Sequence, residues 1–265
     1  MGVLEIKNVV LIGAGKMAWN LGSALKNKNI KIMQVYNRTP FRGKLLAEAL
    51  EADYVADPGK ITPDADLYII AVSDDVIVDM SSHLQLNEQM VVHTAGAIDI
   101  NVLQHVSKNH GVFYPVQSFS SAQFENFKTI PLCLEASSPS NLKLLVKLAK
   151  KLSKLVYPIN SNARKKLHLA AVFASNFTNF MYVISEEILR NNQLPPDLIV
   201  PLICQSCQVK DGGNFFMRQT GPAVRGDHAI IAKHKELLAS NRDYLEIYDL
   251  ITNNIIKYNL QHGKL

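Results

Sequence analysis

Short apolar runs punctuate the first 160 positions at regular intervals. In order they are NVVLIG, IKIMQVY, DYVA, DLYIIAV, MVVHTAG, VFYP, PLCLEA and LVYPI. Each is too short for a buried helix and rich in Val, Ile, Leu and Tyr, so each predicts a strand. Between them lie stretches with helical spacing, such as Met17 to Lys26, where Met17, Leu21, Ala24 and Leu25 share one face. Buried strands alternating with helices predict an α/β fold with a mostly parallel sheet and right-handed crossovers.

The pattern changes after PINSNARKK. Strand signals stop, and helical periodicity takes over at about 163–190, 196–210, 228–239 and 241–258. Two domains are expected, 1–160 with the sheet and an all-helical 161–265. Within the first, Leu142, Leu145, Leu148, Ala149, Leu152 and Leu155 form one face of a lysine-rich helix. Placed between two strands, it reads as a cover helix with a solvated face rather than a membrane-surface helix.

Composition narrows the class without naming the chemistry. Hydrophobic residues make up 48% and charged residues 19% of 265, as in an ordinary globular protein. The net charge of +5 suits an anionic ligand, but no basic arm or aromatic-interleaved stripe points to nucleic acid. Cys204 and Cys207 form a C-x-x-C inside the apolar helical segment DLIVPLICQSCQV, with no second pair to complete a metal site. Two buried helix cysteines are expected. The start MGVLEIKNVV lacks the features of a signal peptide, and the uncharged stretch Leu167–Ser185 carries too many polar residues for a lipid-facing span. A cytoplasmic protein is expected, with no membrane partner.

The first strand runs into Gly13, Ala14, Gly15, Lys16 and Met17, and Ala18 completes G-x-G-x-x-A. Gly13 permits the tight turn, Gly15 lets the backbone approach a pyrophosphate, and Ala18 lets the helix pack closely on the sheet. At the end of the second strand an NAD site carries Asp or Glu. Here Asn37, Arg38 and Thr39 stand there, with Arg42 a turn on, a set that grips the 2′-phosphate of NADP. NADP is the expected cofactor.

Other strand ends face the same crevice. Val72 and Ser73 follow the fourth strand. Asp74 and Asp75 suit the dipole of the next helix. Thr94, Ala95 and Gly96 follow the fifth and are expected to border the nicotinamide, while His93 is equally a proton relay or a packed histidine. Tyr114, Gln117 and Ser118 follow the sixth. The first helix of the second domain places His168, Val172, Ser175 and Asn179 on one face, with Asn176 beside it. Such a stripe either pairs internally or handles substrate. In GPAVRGD, Asp227 is a natural N-cap, and Arg225 can bind a substrate carboxylate or pair with a buried acid.

VVLIGAGKMA, VYNRT, AVSDDVI, HTAGA, YPVQSF, ASNFTNF and GPAVRGD, in that order, resemble a family of Rossmann-like NADP oxidoreductases with a helical second domain of unknown function. The family is related to pyrroline-5-carboxylate reductases and β-hydroxyacid dehydrogenases. The resemblance implies a second domain like the C-terminal domain of 6-phosphogluconate dehydrogenase and a homodimer through its long first helix. Two departures stand out, Tyr114 where many members have His and Ala95 where Ser is usual. The lysine of the related dehydrogenases has no clean counterpart, since Lys165 and Lys166 precede His168 at the helix start. The expected activity is hydride transfer between NADP(H) and a small carbonyl, hydroxy-acid or imine substrate. His168 is then the acid/base candidate, Asn176 its orienting partner and Arg225 the carboxylate anchor. The alternative is a non-catalytic NADP sensor on the same scaffold.

Overall fold

The computed structural model describes residues 5–84, 86, 88–120, 126–208 and 214–263. All eight apolar runs form strands: β1 (Asn8–Ile12), β2 (Lys31–Tyr36), β3 (Asp53–Val55), β4 (Leu67–Ile70), β5 (Met90–His93), β6 (His110–Pro115), β7 (Leu132–Ala136) and β8 (Val156–Pro158). They make one sheet in the order β3-β2-β1-β4-β5-β6-β7-β8. Every neighbouring pair is parallel except β6 with β7. That exception has a local cause. A parallel return needs a crossover, usually a helix, and among its described residues the β6–β7 link carries only the 3-10 turn Phe127–Thr129.

Helices α1 (Lys16–Lys26), α2 (Pro40–Leu50), α3 (Asp74–Ser82) and α4 (Pro139–Leu152) cover the sheet. Val9, Val10, Leu11 and Ile12 of β1, at the sheet's centre, are wholly buried, which is why that strand reads as a continuous apolar run. The predicted cover helix is α4. Pro139 opens it, and the Ser138 hydroxyl accepts from the Asn141 amide at 3.2 Å. Leu145, Leu148, Ala149 and Leu152 are buried as expected. Leu155 is not part of that face. The helix stops at Ser153, whose hydroxyl donates to the Ile130 carbonyl at 2.6 Å, and Leu155 lies beyond it, 37% exposed.

The chain divides into two compact units, Met1–Phe177 and Thr178–Leu265. Helix α5 (Ser161–Ala171), starting where the composition changes, belongs to the first unit, and a π-helical segment, Val172–Phe177, follows it. The second unit holds α6 (Thr178–Asn191), α7 (Val200–Cys207), α8 (Phe215–Arg218), α9 (Pro222–Arg225), α10 (His228–Leu237) and α11 (Arg242–Gln261). His234 and the Tyr248 hydroxyl, 2.9 Å apart, staple α10 to α11, and Asp227 caps α10 as its position predicts. Cys204 and Cys207 fall on α7, but both are exposed. The burial expected of them is not met, because this apolar helix is not covered within its own unit. Leu198 and Leu202 beside them are 63% and 65% exposed.

Ser161–Asn191 is helical throughout and is long and apolar enough, by length and composition, to cross a membrane. Its first turn is anchored by the buried Ser161 and Arg164, whereas no residue of its most apolar 18-residue window is buried.

Candidate active site

Gly13 sits at the carboxyl end of β1 with φ of +113°, and a Cβ there would lie 2.4 Å from the Ala71 carbonyl oxygen. Only glycine fits this turn. Gly15 differs: nothing lies within 4 Å of its notional Cβ, so its place opens onto free space at the start of α1. Ala18, fully buried, brings α1 close against the sheet. The result is a helix N-terminus with exposed amides and positive dipole, suited to a pyrophosphate.

That space is part of a cavity of about 640 Å³. Ten of the residues expected at a dinucleotide line it together: Gly13, Ala14, Gly15, Lys16, Met17, Asn37, Arg38, Thr39, Val72 and Ser73. Arg42 joins them from α2. The β2 turn that carries Asn37 is stiffened on both sides. The Tyr54 hydroxyl donates to the Asn37 carbonyl at 3.0 Å, and the Asn37 side-chain Nδ2 donates to the Thr39 carbonyl at 2.8 Å. Gly43 is needed for this packing, since a Cβ there would meet the Tyr54 ring at 2.3 Å. Arg38 and Arg42 are exposed, and no salt bridge among the described residues engages either. Their charge is therefore available to an anion.

Sequence reasoning missed Tyr36, Pro58, Val76, Asp79, Met80 and His83, which also line the cavity. The last four were legible in principle: their spacing puts them on one face of α3 and its end. Asp74 and Asp75 stand in the first turn of α3, as expected, and neither lines the cavity.

Thr94, Ala95 and Gly96 do not line this cavity. Thr94 is buried, its amide donating to the Ile70 carbonyl at 3.1 Å and tying β5 to β4. Gly96 meets side chains instead. A Cβ there would lie 2.6 Å from His168 Nδ1 and 2.9 Å from the Tyr114 ring. These two form a pair, with the Tyr114 hydroxyl 3.2 Å from His168 Nδ1 and the rings edge to face at 6.1 Å. Tyr114 is 8% exposed, and burial raises its phenol above the ordinary value. Ser118 and Ser175 lie 3.3 Å apart. The predicted stripe thus holds for His168 and Ser175, which both reach the β6 side despite the π-helical change of pitch between them. Asn176 is exposed on that segment, and Arg225 is exposed at the end of α9 in the second unit. Neither side chain has a hydrogen bond among the described residues.

His93 is settled as a packed histidine. It is fully buried, its Nδ1 accepts from the Ala95 amide at 3.2 Å, and burial with the nearby Arg164 charge pushes it down to about 3. Arg164, also fully buried, is the centre of a clamp that sequence reasoning did not find. Its guanidinium pairs with Glu135 of β7, donates to the Ile98 carbonyl, and reaches the Ser161 hydroxyl at 3.0 Å. Glu135 also accepts from the Ser161 amide and hydroxyl at 2.9 and 2.7 Å. Lys165 pairs with Asp99 at 2.8 Å on the surface. The second unit has a separate apolar hollow of about 350 Å³ between α6, α10 and α11.

A doubly wound sheet, a glycine turn at its switch point and a cavity over the strand ends define a dinucleotide-binding oxidoreductase with a helical second domain. Residues 1–120 match the shikimate/quinate 5-dehydrogenase family, and residues 130–255 match a family described as a domain of unknown function (DUF2520). The chain is 38% identical to a solved protein of Bacteroides fragilis assigned as an NADP oxidoreductase, covering 96% of this chain and 100% of that one with a TM-score of 0.90. It belongs to the family of that oxidoreductase. An imine reductase of Myxococcus stipitatus, solved with NADP+, shares the fold at 15% identity and TM-score 0.66, over 97% of this chain and 95% of that one. A pyrroline-5-carboxylate reductase of Coxiella burnetii does so at 16% and 0.60, over 97% and 98%. Glutamyl-tRNA reductase of Methanobrevibacter smithii is 36% identical over 98 residues, 36% of this chain. The chain spans 23% or less of the length of the curated relatives it matches.

Proposed function

We propose that this chain is a cytoplasmic, NADP(H)-dependent oxidoreductase acting on a small carbonyl, hydroxy-acid or imine compound. The observation that carries the cofactor choice is the cavity's β2 end. Arg38, Thr39 and Arg42 line it where an NAD enzyme places an acid, and no salt bridge among the described residues engages either arginine. The bound dinucleotide supplies the hydride. The chain's own part is to hold it. Amides at Gly15 to Met17 meet the pyrophosphate, and Arg38 makes a two-pronged contact with the 2′-phosphate, with Arg42 adding charge. Ser73 stands free to meet the ribose or pyrophosphate, since its side chain makes no cap bond to α3.

On the substrate side, His168 is the proton-handling group, Asn176 an orienting hydrogen-bond partner for the substrate, and Arg225 the anchor for a substrate carboxylate. Thr94, Ala95 and Gly96 form the floor against which that chemistry is set. We read the uncovered helical stretch as a homodimer face, because Phe173 and Phe177 are 62% and 49% exposed, and Phe180 in the second unit 47%. A monomer at micromolar concentration in equilibrium ultracentrifugation would remove that reading.

Calorimetric titration with NADPH and NADH tests the cofactor. NADPH should bind tighter, and Arg38→Ala should weaken it by about 1.5–3 kcal/mol, roughly ten- to a hundredfold, with little effect on NADH. Equal affinities for the two nucleotides would overturn the preference, and no binding of either would overturn the function.

A further inference from the structure

A neutral imidazole carries one N–H and one bare nitrogen, and the partner of either nitrogen decides which is which. For His168 that partner is Tyr114, whose hydroxyl lies 3.2 Å from Nδ1. The phenol has one hydrogen to place. It is buried, and among the described residues His168 Nδ1 is its one hydrogen-bond partner. Were Nδ1 to carry the imidazole proton, the phenolic hydrogen would have no acceptor among the described residues, the costlier arrangement for a part-buried hydroxyl. Pointing it at Nδ1 satisfies both groups. Nε2, which has no hydrogen bond among the described residues, then keeps the ring proton.

The surroundings hold the pair in place. Gly96 makes room for it, since a Cβ would sit 2.6 Å from Nδ1 and 2.7 Å from the ring carbon Cγ. Arg164, one turn before His168 on the same face of α5, is locked to Glu135, Ser161 and the Ile98 carbonyl. The helix that carries His168 therefore has little freedom to rotate.

We propose that Tyr114 is a positioning residue that donates its hydroxyl hydrogen to His168 Nδ1 and holds the neutral ring in its Nε2–H form. His168 then presents a fixed Nε2–H to a carbonyl or carboxylate oxygen of the substrate, the acid half of its proton-handling role. A neutral imidazole can polarise a carbonyl in this way without being charged. The proposal deepens the oxidoreductase reading and rests on it for the identity of the acceptor.

The test is nitrogen-15 NMR of the full chain at about pH 8, where an ordinary imidazole is neutral. Long-range proton–nitrogen correlations report the tautomer, and His168→Gln assigns the signals by their loss. The exposed His228 in the same spectrum is the internal reference. Expected is at least a tenfold excess of the Nε2–H form at His168. In Tyr114→Phe, which removes only the hydroxyl, the ratio should fall several-fold toward that of His228, with Nδ1 losing its hydrogen-bond shift. A wild-type ring protonated at Nδ1, or a ratio unmoved in Tyr114→Phe, overturns the proposal. The wild-type spectrum decides the first point even if the variant folds poorly. NADPH titration of the same samples keeps the two ideas apart. Lost nucleotide binding in the wild type would sink the oxidoreductase reading and leave the tautomer result standing.

Discussion

Glu135→Ala is the most exacting test of how the first unit is held together. The change deletes the carboxylate that faces a fully buried Arg164. It also removes the acceptor of the Ser161 amide and of the Ser161 hydroxyl hydrogen, bonds of 2.9 and 2.7 Å, although Arg164 and the Ile100 amide still donate to that hydroxyl oxygen. The Arg164 Nε is already without a partner among the described residues, so the guanidinium has little slack to absorb the loss. Breaking one side of a buried ion pair costs roughly 3–5 kcal/mol, because the remaining charge is buried uncompensated. At about 2–4 °C per kcal/mol for a chain of this size, the melting midpoint should fall by roughly 6–20 °C. Differential scanning calorimetry reads this directly, with urea titration giving the free energy. The double variant Glu135→Leu, Arg164→Met removes both charges and should recover more than half of the loss, since apolar replacement of such a pair is often close to neutral. A loss below about 1 kcal/mol in Glu135→Ala would refute the reasoning, as would a double variant worse than the single one.

Acid should destabilise the fold through His93. Its folded value of about 3 lies below the ordinary 6.5, so the unfolded chain takes up the proton first. Stability is then whole above about pH 6.5 and declines as pH falls toward 3, by up to about 1.4 kcal/mol per pH unit. His93→Leu should flatten that slope in urea melts taken across the range, and an unchanged slope would assign it elsewhere. Gly13→Ala should abolish binding of either nucleotide and lower stability by more than about 2 kcal/mol, since it combines positive φ with a clash at the Ala71 carbonyl. Retained NADPH affinity in calorimetry would show the turn to be more plastic than its geometry implies. Two thiols, Cys204 and Cys207, should react quickly with a disulfide reagent in the native chain. Cys133, buried and pushed up to about 11, should wait for unfolding. Slow reaction of all three would mean that α7 is covered in solution.

The sheet was legible because its inner strands, buried on both faces, are written as unbroken apolar runs, and the short, more exposed edge strands β3 and β8 were read along with them. The cavity was legible for a related reason. Dinucleotide contacts are made by short segments at strand ends, so the glycine turn and the Asn37–Thr39 turn each carry their signal within a few residues. His168 and Ser175 were placed correctly on one face by helical spacing. What escaped was whatever depends on a distant segment. The antiparallel turn of β7 goes with a link whose described residues carry only a 3-10 turn, and the end of α4 at Ser153 goes with a bond to Ile130. Burial of Cys204 and Cys207 was inferred from an apolar helix, but apolarity says only that a helix seeks cover.

The sequence by itself determined the order of elements, the glycine turn at the end of β1 and the basic residues that follow β2, all properties of contiguous stretches. Only the tertiary structure decided the partners. It moved Gly96 from beside the cofactor cavity to beneath Tyr114 and His168, set Glu135 against Arg164 across 29 positions, and made His93 a buried neutral ring. The physical reason is that a segment's periodicity encodes which face it must bury, whereas a buried polar group's fate depends on the one group that chain folding brings to meet it.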